Sequence, residues 1–264
     1  MRRTGAPGEA RQMAAQAVRE GFATIVAAGG DGTANEVVNG IADIPQGLSS
    51  VRLGILPLGT LNVFARELGL PRNLAGAART LEAGREMTID LGRAELTADG
   101  RRQGRHFLQL AGAGLDARAV ELVSWSLKKK TGPLAYVVAG LKALRETQPV
   151  ITVEGAQTAG GELVLLGNGR YYGGSFELFP GASLRDGCLD VCVLPNVTAW
   201  RALQAAMGLA TGRLQRFWPA RYFRSPTLTL SSSSRVSLQL DGEYAGELPV
   251  TFSVLPLALR IIVP

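Results

Sequence analysis

The 264-residue chain is 46% hydrophobic and carries 28 basic against 22 acidic residues, a formal net charge of +6. This composition supports a substantial buried core, and 33 glycines among alternating strand and helix patterns exclude a disordered chain, a bundle or a coiled coil. Two cysteines and one histidine are too few for a disulfide framework or a zinc site, so any bound metal must take oxygen ligands.

The chain opens with a helix followed by a buried strand. Apolar residues recur at helical spacing from Ala10 to Val18, Gly21 ends the helix, and the apolar run 23–28 predicts the strand. The strand runs directly into Gly29-Gly30-Asp31-Gly32-Thr33, behind which a second helix begins at Thr33 or Ala34. Glycines let backbone N–H groups approach phosphate oxygens, and Asp31 can reach a nucleotide-bound Mg²⁺ through water. The alternative is a tight strand-to-helix turn without a ligand.

A second strand, turn and helix unit follows at once. Residues 51–56 form a short strand, Pro57-Leu58-Gly59-Thr60 a turn, and residues 61–68 a helix that stops before Pro71. Gly59 and Thr60 are candidates to contact the nucleotide, and Asn62 to donate hydrogen bonds to it. Thr60 could equally be the N-cap of the helix. The two loops are expected to meet at one edge of a sheet.

The chain changes character after a further helix over 74–81. Short strands dominate from residue 87 onward, so we place a domain boundary near 85–92, with an α/β domain over 1–88 and a β-rich domain over 89–264. Strands are predicted at 87–97, 105–111, 150–154, 162–168, 188–194, 226–231, 235–240, 249–254 and 257–263, and helices at 134–145 and 199–209. The predicted fold class is α/β, a Rossmann-like nucleotide-binding domain plus a sandwich-like β domain, with the C-terminal end packing back on the first domain.

Two acidic turns lie late in the chain, Asp186-Gly187-Cys188-Leu189-Asp190-Val191 and Asp241-Gly242-Glu243. The carboxylates of Asp241 and Glu243 could accept a proton from a nucleophile, or they could form a hydrophilic hairpin tip. Asp186-Gly187 could likewise be a simple turn before a strand.

Together, the two glycine loops and the two acidic turns resemble the bacterial diacylglycerol kinases, which fall within the phosphofructokinase and NAD kinase superfamily. The resemblance spans nearly the whole chain and implies a Mg²⁺-dependent enzyme that transfers the γ-phosphate of ATP to a lipid hydroxyl in a cleft between its domains. Because the sequence has no stretch of about 18 uncharged apolar residues, we expect a cytoplasmic location. The resemblance implies catalytic roles for Asp31, Asp241 and Glu243, with the Asp241 turn supplying the general base. It implies a structural Mg²⁺ held by Asp186 and by the carbonyls of Ser183 and Cys188. It also implies a set of ATP contacts, namely Gly29, Gly30, Asp31, Gly32, Thr33, Asn35, Gly59, Thr60 and Asn62.

The sequence departs from the family pattern in two places. Members usually begin with a strand and an Asn-Pro and Ser-Gly turn that this sequence does not contain, so an exposed sheet edge and a partly formed ATP site are expected. Val63 stands where many relatives have an aspartate, which removes a carboxylate that could help to order Mg²⁺. Asp90 could compensate if its strand end lies nearby.

Several alternatives and partners remain open at this stage. An NAD kinase shares the first loop, a catalytically silent nucleotide or lipid binder is compatible with the two departures, and nucleic-acid binding has only the charge in its favour, without a recognisable module. The expected partners are ATP, a lipid alcohol at the inner membrane surface, and a second copy of the chain through an unpaired sheet edge. The arginine and aromatic stretch 213–224 is a candidate for peripheral contact with an anionic bilayer through Trp218 and Arg221.

Overall fold

The computed structural model describes residues 2–98, 101–123, 134–210 and 218–264. The first part alternates helices and strands: α1 (Glu9–Arg19), β1 (Thr24–Gly29), α2 (Asp31–Ala42), α3 (Gly47–Ser50), β2 (Arg52–Pro57), α4 (Val63–Glu67) and α5 (Leu74–Ala83). Strands β1 and β2 are parallel and in register, with Gly29 opposite Pro57. Both glycine loops therefore leave the sheet at the same edge, as the sequence predicts.

The rest of the chain is mostly strand. In order, its elements are β3 (Arg85–Ala98), β4 (Arg101–Phe107), β5 (Leu110–Gly114), α6 (Leu115–Leu122), α7 (Leu134–Ala143), β6 (Ile151–Glu154), β7 (Thr158–Gly161), β8 (Leu163–Gly167), β9 (Tyr171–Tyr172), β10 (Phe176–Glu177), β11 (Leu189–Leu194), α8 (Ala199–Ala210), β12 (Arg221–Ser225), β13 (Thr227–Ser231), β14 (Ser237–Leu240), β15 (Glu243–Glu247) and β16 (Val250–Val263).

Two sheets and one small hairpin organise the described residues. The larger sheet has the order β1-β2-β16-β13-β6-β7, with β3 paired to β16 and β4 paired to β3. The second sheet is antiparallel with the order β12-β11-β8-β5-β14-β15, and β9 with β10 forms the hairpin. Apolar side chains of the two sheets form one shared core, in which the rings of Phe107 and Phe252 meet edge to face at 5.9 Å. The predicted α/β fold with a β sandwich is confirmed.

The strands differ from the sequence prediction in several places, and five of them were not predicted, namely β7, β9, β10, β12 and β15. The predicted strand 105–111 is two strands, because the chain leaves β4 at Phe107 and enters β5 at Leu110. The two predicted strands at the C-terminus are one strand, β16, with a bulge between Leu255 and Leu259. Strand β3 runs without a break through the boundary predicted at residue 88, and the end of β16 pairs with β2 at Arg260.

The proposed membrane contact at Trp218 is wrong. This side chain is 2% exposed and packs in the core beneath the second sheet, where its indole Nε1 donates to the carbonyl of Pro195 at 2.8 Å. Arg221 is exposed at the start of β12. Among the described residues, no helix has both the length and the apolar character needed to cross a membrane.

Candidate functional site

The two glycine loops touch each other through their backbones. A Cβ on Gly59 would lie 2.4 Å from the Cα of Gly30, so only glycine permits this approach. Gly30 is the N-cap of α2, which leaves the N–H groups of residues 31–33 without acceptors inside the helix. These donors and the positive end of α2 make the loop edge a ready anion site.

Asn62 holds the second loop in shape. Its Oδ1 accepts the N–H of Gly59 at 2.9 Å and its Nδ2 donates to the carbonyl of Gly59 at 2.7 Å, with Asn62 itself in the left-handed region at φ 49°. Helix α4 starts only after Asn62, so Thr60 is not its N-cap and lies exposed at the loop tip. Thr60 thus remains a candidate nucleotide contact, while the Asn62 amide shapes the loop.

Asp31 joins the first loop to the second. Its two carboxylate oxygens accept the N–H groups of Val63 and Phe64, each at 3.0 Å, and so cap helix α4 from a neighbouring helix. This role was missed in the sequence because donor and acceptor lie 32 and 33 residues apart. Each oxygen keeps a second acceptor site, so Asp31 can also hold a water at the loop.

A positively lined pocket lies beside the second loop. It has a volume of about 380 Å³ and is bordered by Gly59, Thr60, Arg66 and Arg72, among others. In the described structure the buried Nε of Arg66 has no hydrogen-bond partner, and its guanidinium lies 5.9 Å from the centre of the Tyr171 ring. Two arginines beside a glycine loop suit a ligand that carries phosphate.

The Asp241 carboxylate is surrounded by donors. Its oxygens accept four hydrogen bonds of 2.7–3.0 Å, from the amide of Asn35 and from the N–H groups of Leu108, Gln109 and Leu110. Burial raises the pKa of Asp241 above its usual range, and these four donors oppose the shift. A carboxylate has about four acceptor sites, so Asp241 has none left for a substrate proton.

Glu243, two residues later, reaches the first loop. The Oε1 of Glu243 lies beside Gly32: a Cβ added to Gly32 would be only 2.4 Å from this oxygen. Glu243 is half-buried and opens β15, directly after the left-handed residues Asp241 and Gly242. The turn therefore directs its two carboxylates to different places, one into the protein and one onto the phosphate-binding loop.

Three further polar residues support the Asp241-Gly242-Glu243 turn through a chain of hydrogen bonds. Gln239 accepts the N–H of Gly242 at 2.8 Å and donates to the carboxylate of Asp116 at 2.8 Å, which also accepts the hydroxyl of Tyr172 at 2.6 Å. Burial raises the pKa of Asp116, opposed by these two hydrogen bonds. None of the three residues was singled out in the sequence, because each belongs to a different element and no motif joins them.

Asn35 is not at the loop surface. It is 6% exposed, and its Nδ2 donates to Asp241 and to the carbonyl of His106 while its Oδ1 accepts from Asn39. Both of its N–H donors are therefore used, and we assign Asn35 to the link between α2 and Asp241 rather than to the nucleotide.

The predicted magnesium loop is held by an arginine. Arg224 donates to the carbonyl of Gly181 and to Asp190 at 3.1 Å, and lies 3.4 Å from the Asp186 carboxylate. The other Asp186 oxygen accepts the N–H of Cys188 at 3.1 Å. No cluster of three potential metal-ligating side chains occurs in the described parts of the chain. The Asp186 carboxylate is thus shared between Arg224 and the N–H of Cys188, and the Mg²⁺ site of Ser183, Asp186 and Cys188 stays a prediction.

Asp90 does not supply the carboxylate missing at Val63. Its side chain is fully buried and accepts the N–H groups of Gly187 and Leu257, each at 2.7 Å. It thus ties the same 181–188 loop to β16 and faces away from solvent.

Comparisons with known proteins match the whole chain. Residues 1–94 match the family described as diacylglycerol kinase catalytic domain, and residues 109–263 match the one described as YegS C-terminal NAD kinase beta sandwich-like domain. A Pseudomonas aeruginosa protein inferred to be a YegS-like lipid kinase is 36% identical over 100% of this chain and 84% of its own. The Bacillus subtilis protein named diacylglycerol kinase is 33% identical over 99% of this chain and 84% of its own.

The fold also matches solved structures. A crystal structure from Bacillus anthracis, provisionally assigned as a diacylglycerol kinase, has a TM-score of 0.78 at 24% identity and covers 99% of this chain and 83% of its own. At this identity the match supports the fold alone.

Proposed function

The chain belongs to the family of diacylglycerol kinases and YegS-like lipid kinases, and from this premise we propose that it transfers the γ-phosphate of ATP to a lipid hydroxyl. The observation that carries the proposal is the contact of the Glu243 carboxylate with Gly32, on the loop that opens α2. It brings a proton acceptor to the place where a terminal phosphate would be held.

In this proposal the loops bind the phosphates of ATP. The N–H groups of residues 31–33 and the positive end of α2 face the phosphate oxygens, and Arg66 adds a cation from the neighbouring pocket. Phosphoryl transfer depends mainly on positioning and on neutralising negative charge, which these groups supply.

We assign the proton acceptor to Glu243. A general base must lie within reach of the nucleophile and keep an acceptor site for its proton. Asp241 does not meet the second condition, because its four hydrogen bonds fill the carboxylate. Asp241 instead anchors the turn from which Glu243 extends.

A Mg²⁺ bound with ATP would neutralise part of the phosphate charge. Asp31 and Glu243 are the carboxylates at the first loop, and their oxygens are of the kind that Mg²⁺ takes. Asp31 would hold water of its coordination shell while continuing to cap α4.

The test is transfer of labelled γ-phosphate from ATP, with Mg²⁺, to a panel of lipid alcohols in mixed micelles, and to NAD as a competing acceptor. Glu243→Gln should keep nucleotide binding and lower kcat by about 10²–10⁴-fold, because only the proton acceptor is lost. Asp241→Asn should also lower the melting temperature, since the new NH₂ group would face backbone N–H donors.

The two variants make the assignment falsifiable. Equal kcat for Glu243→Gln and the unmodified chain would remove Glu243 as the base. Transfer to NAD without transfer to any lipid would replace the lipid kinase by an NAD kinase. ATP binding without transfer to either acceptor would leave a nucleotide-binding protein.

A further inference from the structure

We infer that Gln239, held in place by Asp116, is a positioning residue that directs Glu243 toward the first glycine loop. Gln239 lies on β14, two residues before the turn Asp241-Gly242-Glu243, and is 1% exposed. The inference rests on the proposed function, because it gives Gln239 and Asp116 a part in the same reaction and names Glu243 as the group through which they act.

The turn that carries Glu243 is a two-residue hairpin connection. Leu240 pairs with Glu243, and the two residues between them, Asp241 and Gly242, have left-handed backbones with φ of 49° and 80°. This pair is typical of a type I′ turn, whose two central N–H groups have no acceptor within the hairpin. The Asp241 N–H donates to the carbonyl of Leu110 at 2.8 Å, and the Gly242 N–H donates to Oε1 of Gln239 at 2.8 Å. Gln239 is thus the acceptor that fixes the second half of the turn, directly before Glu243.

Asp116 sets the direction in which the Gln239 amide faces. A backbone N–H can only donate, so the contact with Gly242 requires the Gln239 oxygen, and the amide NH₂ must find an acceptor on its other side. That acceptor is the Asp116 carboxylate, 2.8 Å from the Gln239 Nε2. The carboxylate is itself held by the hydroxyl of Tyr172, which donates to its other oxygen at 2.6 Å. Without Asp116, the amide is free to turn over and present its NH₂ to the Gly242 N–H.

The sheet leaves room for this pair of side chains. Gly112 of β5 lies opposite Gln239, and a Cβ on Gly112 would be 2.6 Å from Oδ2 of Asp116 and 2.8 Å from Nε2 of Gln239. Any larger residue at position 112 would therefore push the two side chains apart. The contact depends on a glycine at this one place in β5.

A purely structural role for Gln239 is the alternative. Gln239 and Ser237 lie on the same face of β14, and both contact α6, Ser237 through the Glu121 carboxylate and Gln239 through Asp116. Both contacts hold α6 against β14, but of the two residues only Gln239 also binds the turn. Substitution of Ser237 therefore separates support of the fold from support of the turn.

The test is a double-mutant cycle on the proposed phosphotransfer. Gln239→Met keeps the length of the side chain and removes the acceptor. It should lower kcat about 10–100-fold with the KM for ATP nearly unchanged, because Glu243 is displaced while the phosphate-binding loops stay in place. In a Glu243→Gln background, the same substitution should cause no further loss of kcat, because the group that Gln239 positions is already gone.

Three further variants separate positioning from stability. Asp116→Asn should keep nearly full kcat, since its oxygen can accept from Gln239 and its NH₂ can donate to the Tyr172 hydroxyl. Asp116→Leu offers no acceptor and should lower kcat as Gln239→Met does. Ser237→Ala is the matched control, and it should lower the melting temperature without changing kcat, because it loosens α6 and leaves the turn in place.

Amide hydrogen exchange, followed by NMR, measures the turn without any reaction. The Gly242 N–H should exchange at least about tenfold faster in Gln239→Met and in Asp116→Leu than in the unmodified chain, because it has lost its acceptor. Its exchange rate should be unchanged in Ser237→Ala.

The outcomes for the inference and for the proposed function are distinct. Unchanged kcat or unchanged Gly242 exchange in Gln239→Met overturns the inference, and so does a further loss of kcat in the Glu243→Gln background. Full kcat in Glu243→Gln would remove Glu243 as the base and, with it, this role of Gln239. Absence of phosphotransfer in the unmodified chain would refute the kinase proposal, and the exchange rates would then still decide whether Gln239 fixes the turn.

Discussion

At the scale of single residues, the turn Asp241-Gly242-Glu243 separates two carboxylates that the sequence makes look equivalent. The left-handed backbone of Asp241, at φ 49°, turns its side chain under the N–H groups of residues 108–110. Glu243 begins a strand and extends to Gly32. The environment of each side chain, rather than its type, decides which can accept a proton.

Gly32→Ala tests the contact between Glu243 and the first loop. The new methyl group would lie 2.4 Å from the Glu243 Oε1, which is too close for both atoms to stay in place. The end of the Glu243 side chain is flexible and can move away at little cost. We expect kcat of the proposed transfer to fall at least about tenfold, a loss of about 1.4 kcal/mol in transition-state stabilisation, with the melting temperature nearly unchanged. Phosphate transfer and thermal unfolding are measured on the same preparation.

Gly140→Ala is the matched control, because Gly140 lies on α7 with no heavy atom within 4 Å of an added Cβ. It should keep full activity and gain slight stability from the better helix propensity of alanine. A Gly32→Ala variant as active as this control would show that Glu243 is not used from its observed position.

The parts of the site that could be predicted are local in sequence. A glycine loop between a strand and a helix is recognisable because its backbone geometry needs only neighbouring residues. The capping of α4 by Asp31 and the support of the Asp241 turn by Asp116 were not predictable, because they join groups far apart in the chain. Trp218 was misread for the same reason, since its burial depends on the core beneath the second sheet.

At the scale of elements, the bulge in β16 is stabilised by a hydrogen bond to the Asp90 side chain. Between Leu255 and Leu259 this strand has three residues where β3 has one, and that one is Asp90. The extra residues place Leu257 in the left-handed region at φ 48° and turn its N–H toward the Asp90 carboxylate. The sequence predicts two strands here, 249–254 and 257–263, and only the pairing with β3 shows a single strand.

Asp90→Asn should destabilise the protein. The carboxylate accepts one N–H from Gly187 and one from Leu257 in a fully buried position, and an amide can accept only one of them while its NH₂ faces the other. We expect a loss of about 2–3 kcal/mol in the free energy of unfolding, seen as a lower urea midpoint with an unchanged slope.

Asp186→Asn provides the comparison for Asp90→Asn. Asp186 pairs with Arg224 at 3.4 Å and its side chain is 26% exposed, so its replacement should cost under about 1 kcal/mol. A cost for Asp90→Asn no larger than this would mean that the bulge does not depend on the carboxylate.

At the scale of the whole molecule, β3 and β16 belong to both halves. The end of β16 pairs with β2 of the first half, and its beginning pairs with β13 of the second. Strand β3 follows β16 along nearly its whole length, and Asn35 links α2 to Asp241 across the interface. The boundary predicted near residue 88 from the change to short strands therefore falls inside a continuous strand, and the two halves should not unfold separately.

Ile261→Ala tests this coupling. Ile261 is fully buried in the core of the first half, and its truncation should cost about 2–5 kcal/mol. Trp218 is buried in the core beneath the second sheet, so its fluorescence reports on the second half, while far-UV circular dichroism also detects the helices of the first. We expect both signals to shift to lower urea together in Ile261→Ala, and likewise in Leu230→Ala, which truncates a buried residue of the sandwich core.

The opposite outcome would be an early dichroism transition in Ile261→Ala with tryptophan fluorescence at its original midpoint. The first half would then unfold alone, and the shared strands would not couple the nucleotide loops to the sandwich.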